Sequence, residues 1–421
     1  MQYTKKILKN GMRIITVPMK SNPTVTVLVL VEAGSKYETK DQNGISHFLE
    51  HMCFKGTKKR PTSAIIANEL ENIGSVHNAF TGHEYTGYYA KGDYKNAGTL
   101  LDVVADIYLN PIFPEAEIEK EKGVIVEEIN MYADNPRSIA GEEFFKLLYG
   151  DTPAGWPIAG TKENVRRMTR RDFIDYRMRH YVAPATTVIV AGRIDERDIA
   201  KQAALLFKDA GTWKKEGKRK VAESQSAPQA RVFYKDTDQA HIIVGNRSFD
   251  AYSRYNPAIR VLDGVLSGMS GRLFQKMREE LGICYYVTPG NDAFTDHGIF
   301  AVSAGLDPAR IKEGVAAILA ELKRLTVEPV GKEELEKAKR YLVGTMYLGL
   351  ESSDAVANFY GGQEIIHEKI KTPEDIAREV KAVTAEEVRA VAAKIFKNET
   401  LNLAVVGRFK DAKEFSDVLK Y

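Results

Sequence analysis

Near the start of the chain, apolar residues come in short β-branched runs. Ile7-Leu8 and Ile14-Ile15 flank Lys9-Asn10-Gly11-Met12. An Asn-Gly pair tolerates positive φ at both central positions of a tight turn, so this segment predicts a hairpin. VTVLVLV, 25–31, predicts a buried strand, since it is β-branched and too short to cross a bilayer. The period then changes. In GISHFLEHMCFKGT, 44–57, Ile45, Phe48, Leu49 and Met52 fall on one stripe at about 100° per residue, while His47, Glu50 and His51 share the other side. Asn43 is placed to cap this helix and Gly56 to end it. A second helical pattern, EIEKEKGVIVEEINMY at 117–132, carries a stripe of Ile118, Val124, Ile125 and Ile129. Glu121 and Glu128 sit within that stripe, about 20° apart on the helical wheel, whereas Glu127 points about 100° away from Glu128 and reads as solvated.

Two distant stretches share one pattern. TRRDFIDYRMRHYVAPATTVIVAGRI begins at Thr169 and TAEEVRAVAAKIFKNETLNLAVVGRF at Thr384. At this offset a threonine, a helix, an aromatic (Tyr181 or Phe396), a loop, an apolar strand and a Gly-Arg pair all register, which marks an internal duplication. Helix and strand patterns in each copy predict two mixed halves, 1–210 and 231–421. The charged, apolar-poor segment 211–230 reads as the linker between them.

The duplication supplies an internal control. At the same offset His47, Glu50 and His51 become Leu262, Val265 and Leu266. A generic solvated surface would not be apolar in its copy, so this position of the fold is expected to face inward. At a similar offset Glu121 and Glu128 become Ala338 and Thr345, so the charged groups disappear together.

Composition narrows the function classes. With 421 residues, 44% hydrophobic and 28% charged, the chain is long enough for two or more domains. Its 60 basic and 57 acidic residues leave a net charge of +3, too weak a field to suggest a nucleic-acid or membrane-surface partner. Cys53 and Cys284 form no CxxC pair and fit reduced, structural thiols. The N-terminal stretch lacks the apolar region of a secretory signal, which makes a soluble cytoplasmic protein the expectation.

Two imidazoles one helical turn apart can reach a single divalent ion. With one carboxylate they leave a tetrahedral zinc ion an open position for water, and Glu50 is placed to take that water's proton. Glu121 is expected to orient a histidine ligand from behind.

His-Phe-Leu-Glu-His, 47–51, is the H-x-x-E-H arrangement. With Glu128 downstream, the chain resembles the pitrilysin/insulysin family of zinc peptidases over nearly its whole length. Its short form, with two similar halves, looks most like the bacterial relatives of the mitochondrial processing peptidase β-subunit. The resemblance implies an α+β fold of two homologous halves, each made of two α+β repeats with helices packed on a sheet, forming a clamshell around a chamber. It implies one Zn²⁺ per chain, held by His47, His51 and Glu128, with Glu50 as general base in the hydrolysis of extended or unfolded peptides. Within SVHNAFTGHEYTGYYA, 75–90, it implies an edge strand whose Asn78 and Ala79 present backbone groups to the substrate; on local chemistry alone Asn78 could begin a turn. In MREELGICYYV, 277–287, Arg278 and Tyr285 match positions that approach the scissile carbonyl, the local alternative being a surface arginine and a core tyrosine. Where a family loop often carries histidine, this chain has Thr152. His77 and His83, near that strand, read as structural or solvent-exposed. A homodimer is the implied assembly, with a heterodimer containing an inactive paralogue as the variant. A noncatalytic structural subunit of a larger complex is the competing function, and it would be expected to lose the ligand set.

Overall fold

The structure, a computed structural model, describes residues 2–367 and 369–421. It comprises two compact units, each discontinuous in sequence. The first holds the chain up to Ile129, Trp156–Arg219 and Tyr347–Thr372; the second holds Asn130–Gly155, Lys220–Met346 and Pro373–Tyr421.

The first unit is built on a six-stranded sheet: β1 (Thr4–Ile7), β2 (Arg13–Pro18), β3 (Thr24–Val31), β4 (Val76–Thr81), β5 (Thr86–Asp93) and β6 (Thr186–Gly192), in the order β1-β2-β6-β3-β5-β4. Only β2 and β6 run parallel. The Val25–Val31 run forms most of β3 and is buried throughout, as is all of β6. Both strands are covered on two faces, so neither alternates in polarity. One face, with Val25, Val27, Val29 and Val31, meets the Ile45–Cys53 and Ala97–Leu109 helices. The Ser353–His367 helix covers the other. Its approach is close: a Cβ on Gly361 would stand 2.8 Å from Leu30 and 2.9 Å from Ile189.

The first hairpin forms, but with a different turn from the expected one. Gly11 alone is left-handed, at φ +89°. Asn10 instead uses its carboxamide, accepting from the Met12 N–H at 3.2 Å and donating to the Phe207 carbonyl at 3.0 Å. The loop closes through Leu8 N–H to Met12 O at 2.8 Å, which spans more residues than a two-residue turn.

The second unit carries five strands: β7 (Gln229–Tyr234), β8 (Ala240–Ser248), β9 (Cys284–Ala293), β10 (Gly298–Leu306) and β11 (Leu401–Gly407). Their order, β7-β11-β8-β10-β9, reproduces β2-β6-β3-β5-β4, including the one parallel pair, β7 with β11. The repeat seen in the sequence is therefore a repeat of topology, and the chain is an α+β protein of two homologous units.

Each unit also takes a helix from the other half of the sequence. Pro136–Tyr149 lies in the second unit, where Phe144 and Leu148 pack with Ile299 and Ala404. Ser353–His367, its counterpart in the later half, lies in the first unit. The segment 211–230 divides as well. Lys215 pairs with Glu32, and Lys218 with Glu84 at 3.1 Å, both within the first unit, whereas Gln229 already belongs to β7 in the second. Among the described residues, no helix is long and apolar enough to cross a membrane.

Candidate metal centre

The Ile45–Cys53 helix is oriented by its apolar face, since Ile45, Phe48, Leu49 and Met52 are all fully buried. That face fixes the rotation of the helix and puts His47, Glu50 and His51 on one side. Leu262, Val265 and Leu266 are buried in the second unit, so the position is an inward-facing one in both copies. The start of the helix differs from expectation. Gly44, at φ +100°, is the cap position, and a Cβ there would lie 2.6 Å from the Ala159 carbonyl oxygen. Asn43 does not cap; its carboxamide donates to Glu38 at 2.9 Å. The buried Glu38 carboxylate does the capping, accepting from Gly44 N–H and Ser46 N–H, both at 2.8 Å. The helix ends at Cys53, ahead of Gly56, which at φ +136° shapes the exit loop.

The Glu115–Asp134 helix supplies the carboxylates. Glu121, Ile118 and Ile125 are buried as their stripe predicts, whereas Val124 is exposed. His47 Nε2 lies 3.5 Å and His51 Nε2 3.6 Å from Glu128 Oε2, and one donor atom from each residue falls within 4.8 Å of the others. Donors bound tetrahedrally to zinc at about 2.0–2.2 Å stand roughly 3.3–3.5 Å apart. The two separations are of that size, so this nitrogen-and-carboxylate set fits zinc. Glu121 does not join the cluster. It accepts from His51 Nδ1 at 2.9 Å, leaving Nε2 as the ligand nitrogen, and takes an ion pair from Lys55 at 2.6 Å.

Burial raises the Glu50 carboxyl pKa; the hydrogen bond from Thr81 and the neighbouring His47 and His51 oppose this in part. For His51 burial works against the charged ring, but the Glu121 hydrogen bond and the charges of Glu50, Glu121 and Glu128 outweigh it, and the pKa rises. Glu121 is likewise desolvated, yet its bonds to His51 and Lys55 pull its pKa down and keep it anionic.

A cleft of about 340 Å³ opens beside Glu50 and His51, walled by Phe54, Ile66, Ala67, His77 and Asn78. Among the described residues β4 forms the free edge of the first sheet, pairing only with β5. Asn78 is in the strand, exposed, with its side chain accepting from Ala79 N–H at 2.9 Å, while Ala79 is half-buried. Arg278 and Tyr285 lie in the second unit. Arg278 sits on a single π-helical turn, Gln275–Glu280, and donates to the Tyr285 carbonyl at 2.8 Å; Tyr285 is 70% exposed, so it is not a core tyrosine.

Three residues of this neighbourhood carry no sequence signal for it. Glu38 precedes the helix it caps by seven residues, Lys55 follows the motif helix, and Thr81 donates to Glu50 from a strand thirty-one residues downstream. His77, expected to be structural or solvent-exposed, lines the cleft; His83 has a structural contact, with Ser35 Oγ 2.8 Å from its Nδ1.

Known proteins point the same way. Residues 13–162 match the family model described as insulinase, peptidase family M16, and residues 167–342 match the one described as the peptidase M16 inactive domain. The chain is 34% identical over 403 residues to a Bacillus subtilis protein named "uncharacterized zinc protease YmxG", covering 94% of this chain and 96% of that one. It is 33% identical over 407 residues to a Rickettsia bellii protein named "uncharacterized zinc protease", covering 95% and 96%. Its fold superposes on the crystal structure of a protease from Helicobacter pylori with a TM-score of 0.88 at 23% identity, over 96% of this chain and 99% of that one.

Proposed function

Because the chain belongs to the insulinase family of M16 peptidases, we propose that it is a zinc metalloendopeptidase cutting extended peptides, with one zinc ion on His47, His51 and Glu128 and Glu50 as the general base. The observation that carries this reading is the convergence of two imidazole nitrogens and one carboxylate oxygen within 4.8 Å, on the same side of the helix that carries Glu50. Zinc bound there supplies Lewis acidity, polarising a carbonyl and making water more acidic.

The chain's own groups do the rest. Glu50, its pKa lifted by burial, accepts the proton of the attacking water and returns it to the leaving amine. Glu121 keeps the His51 ring in the tautomer that presents Nε2. The free edge of β4, at Asn78 and Ala79, takes the peptide as an added strand, which selects extended chains over folded ones. On the family resemblance alone, the proposal extends to Arg278 and Tyr285 as substrate contacts and to a homodimer as the active form.

Glu50→Gln is the direct test. It replaces the carboxylate with an amide of the same shape and leaves the donor set in place. The expected result is full zinc content with peptide hydrolysis lowered about 10²- to 10⁴-fold. Wild-type turnover in that variant would refute Glu50 as the base, and a purified chain that takes up no zinc would refute the metal site.

A further inference from the structure

One hydrogen bond at the site is made by a residue outside the motif. The Thr81 hydroxyl donates to Glu50 Oε2 at 2.7 Å, and among the described residues no other group hydrogen-bonds to this carboxylate. A glutamate carboxylate turns freely about its last torsion, which has only a broad two-fold preference. Burial does not by itself fix it.

Thr81 is itself firmly held. It ends β4 in register with Thr86 of β5, and as a β-branched residue in a strand it has a restricted χ1. The turn that follows is pinned to the loop after β3. Ser35 N–H donates to the Gly82 carbonyl at 3.2 Å, Lys36 N–H to the His83 carbonyl at 2.9 Å, and Thr86 Oγ1 to the Ala33 carbonyl at 2.8 Å. The two main chains approach so closely that a Cβ on Gly34 would stand 2.4 Å from the Gly82 oxygen. Beyond the turn, the buried Glu84 takes ion pairs from Lys36 at 3.0 Å and Lys218 at 3.1 Å. The hydroxyl is thus delivered by a braced hairpin.

We propose that Thr81 is a positioning residue for the proton-transfer step: its hydroxyl fixes the orientation of the Glu50 carboxylate, so that β4 both offers the peptide-binding edge and aims the base. The inference rests on the reading of Glu50 as base. It assigns Thr81 no contact with metal or substrate. Its loss should therefore appear in turnover and spare binding.

The test compares Thr81→Val, which keeps the shape and removes the hydroxyl, with Thr81→Ser, which keeps the hydroxyl, and with Glu50→Gln. Each is measured for kcat and KM on a fluorogenic peptide and for zinc per chain. Thr81→Val is expected to lower kcat about 10- to 100-fold, the order of loss that follows misplacement of a reacting group, with KM and zinc content unchanged. Thr81→Ser is expected to stay within about threefold of wild type on the same ground. Should the valine variant fail to fold, Thr81→Ala replaces it in the comparison. Wild-type kcat in the hydroxyl-free variant while Glu50→Gln is inactive overturns the positioning role and leaves the base assignment standing. Equal losses in the serine and valine variants overturn it too, because the hydroxyl would then be irrelevant. An active Glu50→Gln overturns the underlying reading itself.

Discussion

Replacing Glu121 with glutamine changes one charge and almost no volume, at a residue that touches the proposed zinc site only through His51. The wild-type carboxylate accepts from His51 Nδ1 at 2.9 Å and from Lys55 at 2.6 Å, with its own side chain only 6% exposed. A hydrogen bond to a charged group contributes about 1.5–3 kcal/mol and a neutral one about 0.5–1.5 kcal/mol, so the exchange costs about 1–1.5 kcal/mol at His51. Lys55 is partly exposed and regains water, so it adds little. Converted to affinity, the loss is about tenfold in zinc Kd, at the low end of the roughly 10- to 100-fold seen when a ligand's supporting partner is removed. Competition with a chromogenic chelator at fixed pH and salt measures it directly. Glu127→Gln, which neutralises an exposed carboxylate next to Glu128, is the control and should not weaken binding. A Glu121→Gln chain that binds zinc as tightly as its Glu127→Gln counterpart would refute the claim that Glu121 supports the site through His51.

Two further predictions concern stability. Burial, aided by the charge of Arg179, pushes the His180 pKa down to about 4, below the ordinary value near 6.5. The unfolded chain therefore takes up this proton first, and the stability present above about pH 6.5 is lost as the pH falls toward 4, by at most about 3 kcal/mol. Glu216, 3.6 Å from Nε2 but half exposed, offsets only a screened part of this. Urea unfolding at pH 7.5 and pH 5 should show the loss in the wild type and a smaller one in His180→Phe; equal losses would count against the assignment. In the Ser353–His367 helix, Gly361→Val must displace Leu30 and Ile189 and should lower the urea-unfolding free energy by about 1–3 kcal/mol. Its neighbour Gly362→Ala, with open space around the added methyl, should be neutral or stabilising by up to about 1 kcal/mol. The reverse order would show that the helix is not packed as described.

What the sequence made legible was whatever has a short period or repeats. The Ile45, Phe48, Leu49, Met52 stripe predicted the rotation of the motif helix because side-chain direction follows a fixed angle per residue, and the apolar copy at Leu262, Val265 and Leu266 predicted that the position faces inward. Contacts that depend on how loops return were not legible. Asn43 has the chemistry of a cap and lies next to the helix, yet Glu38 reaches back over the turn and takes the amides, because Gly44 in its left-handed conformation opens them to it. Val124 fits the apolar stripe of its helix by angle but not by burial, since only part of that helix is covered. Thr81 meets Glu50 only because β4 and the motif helix pack together, and no spacing along the chain encodes that.

The traded helices bear on how the protein is made. As the ribosome extends the nascent chain, every strand of the first sheet has emerged long before Ser353–His367 exists to lie over Leu28, Leu30 and Ile189. At about 5–20 residues per second, that greasy surface waits on the order of ten seconds for its cover. The amino-terminal portion cannot complete its fold during its own synthesis, and a chain released early leaves a sheet inviting aggregation. Intact biogenesis therefore depends on translation continuing through the Ser353–His367 segment.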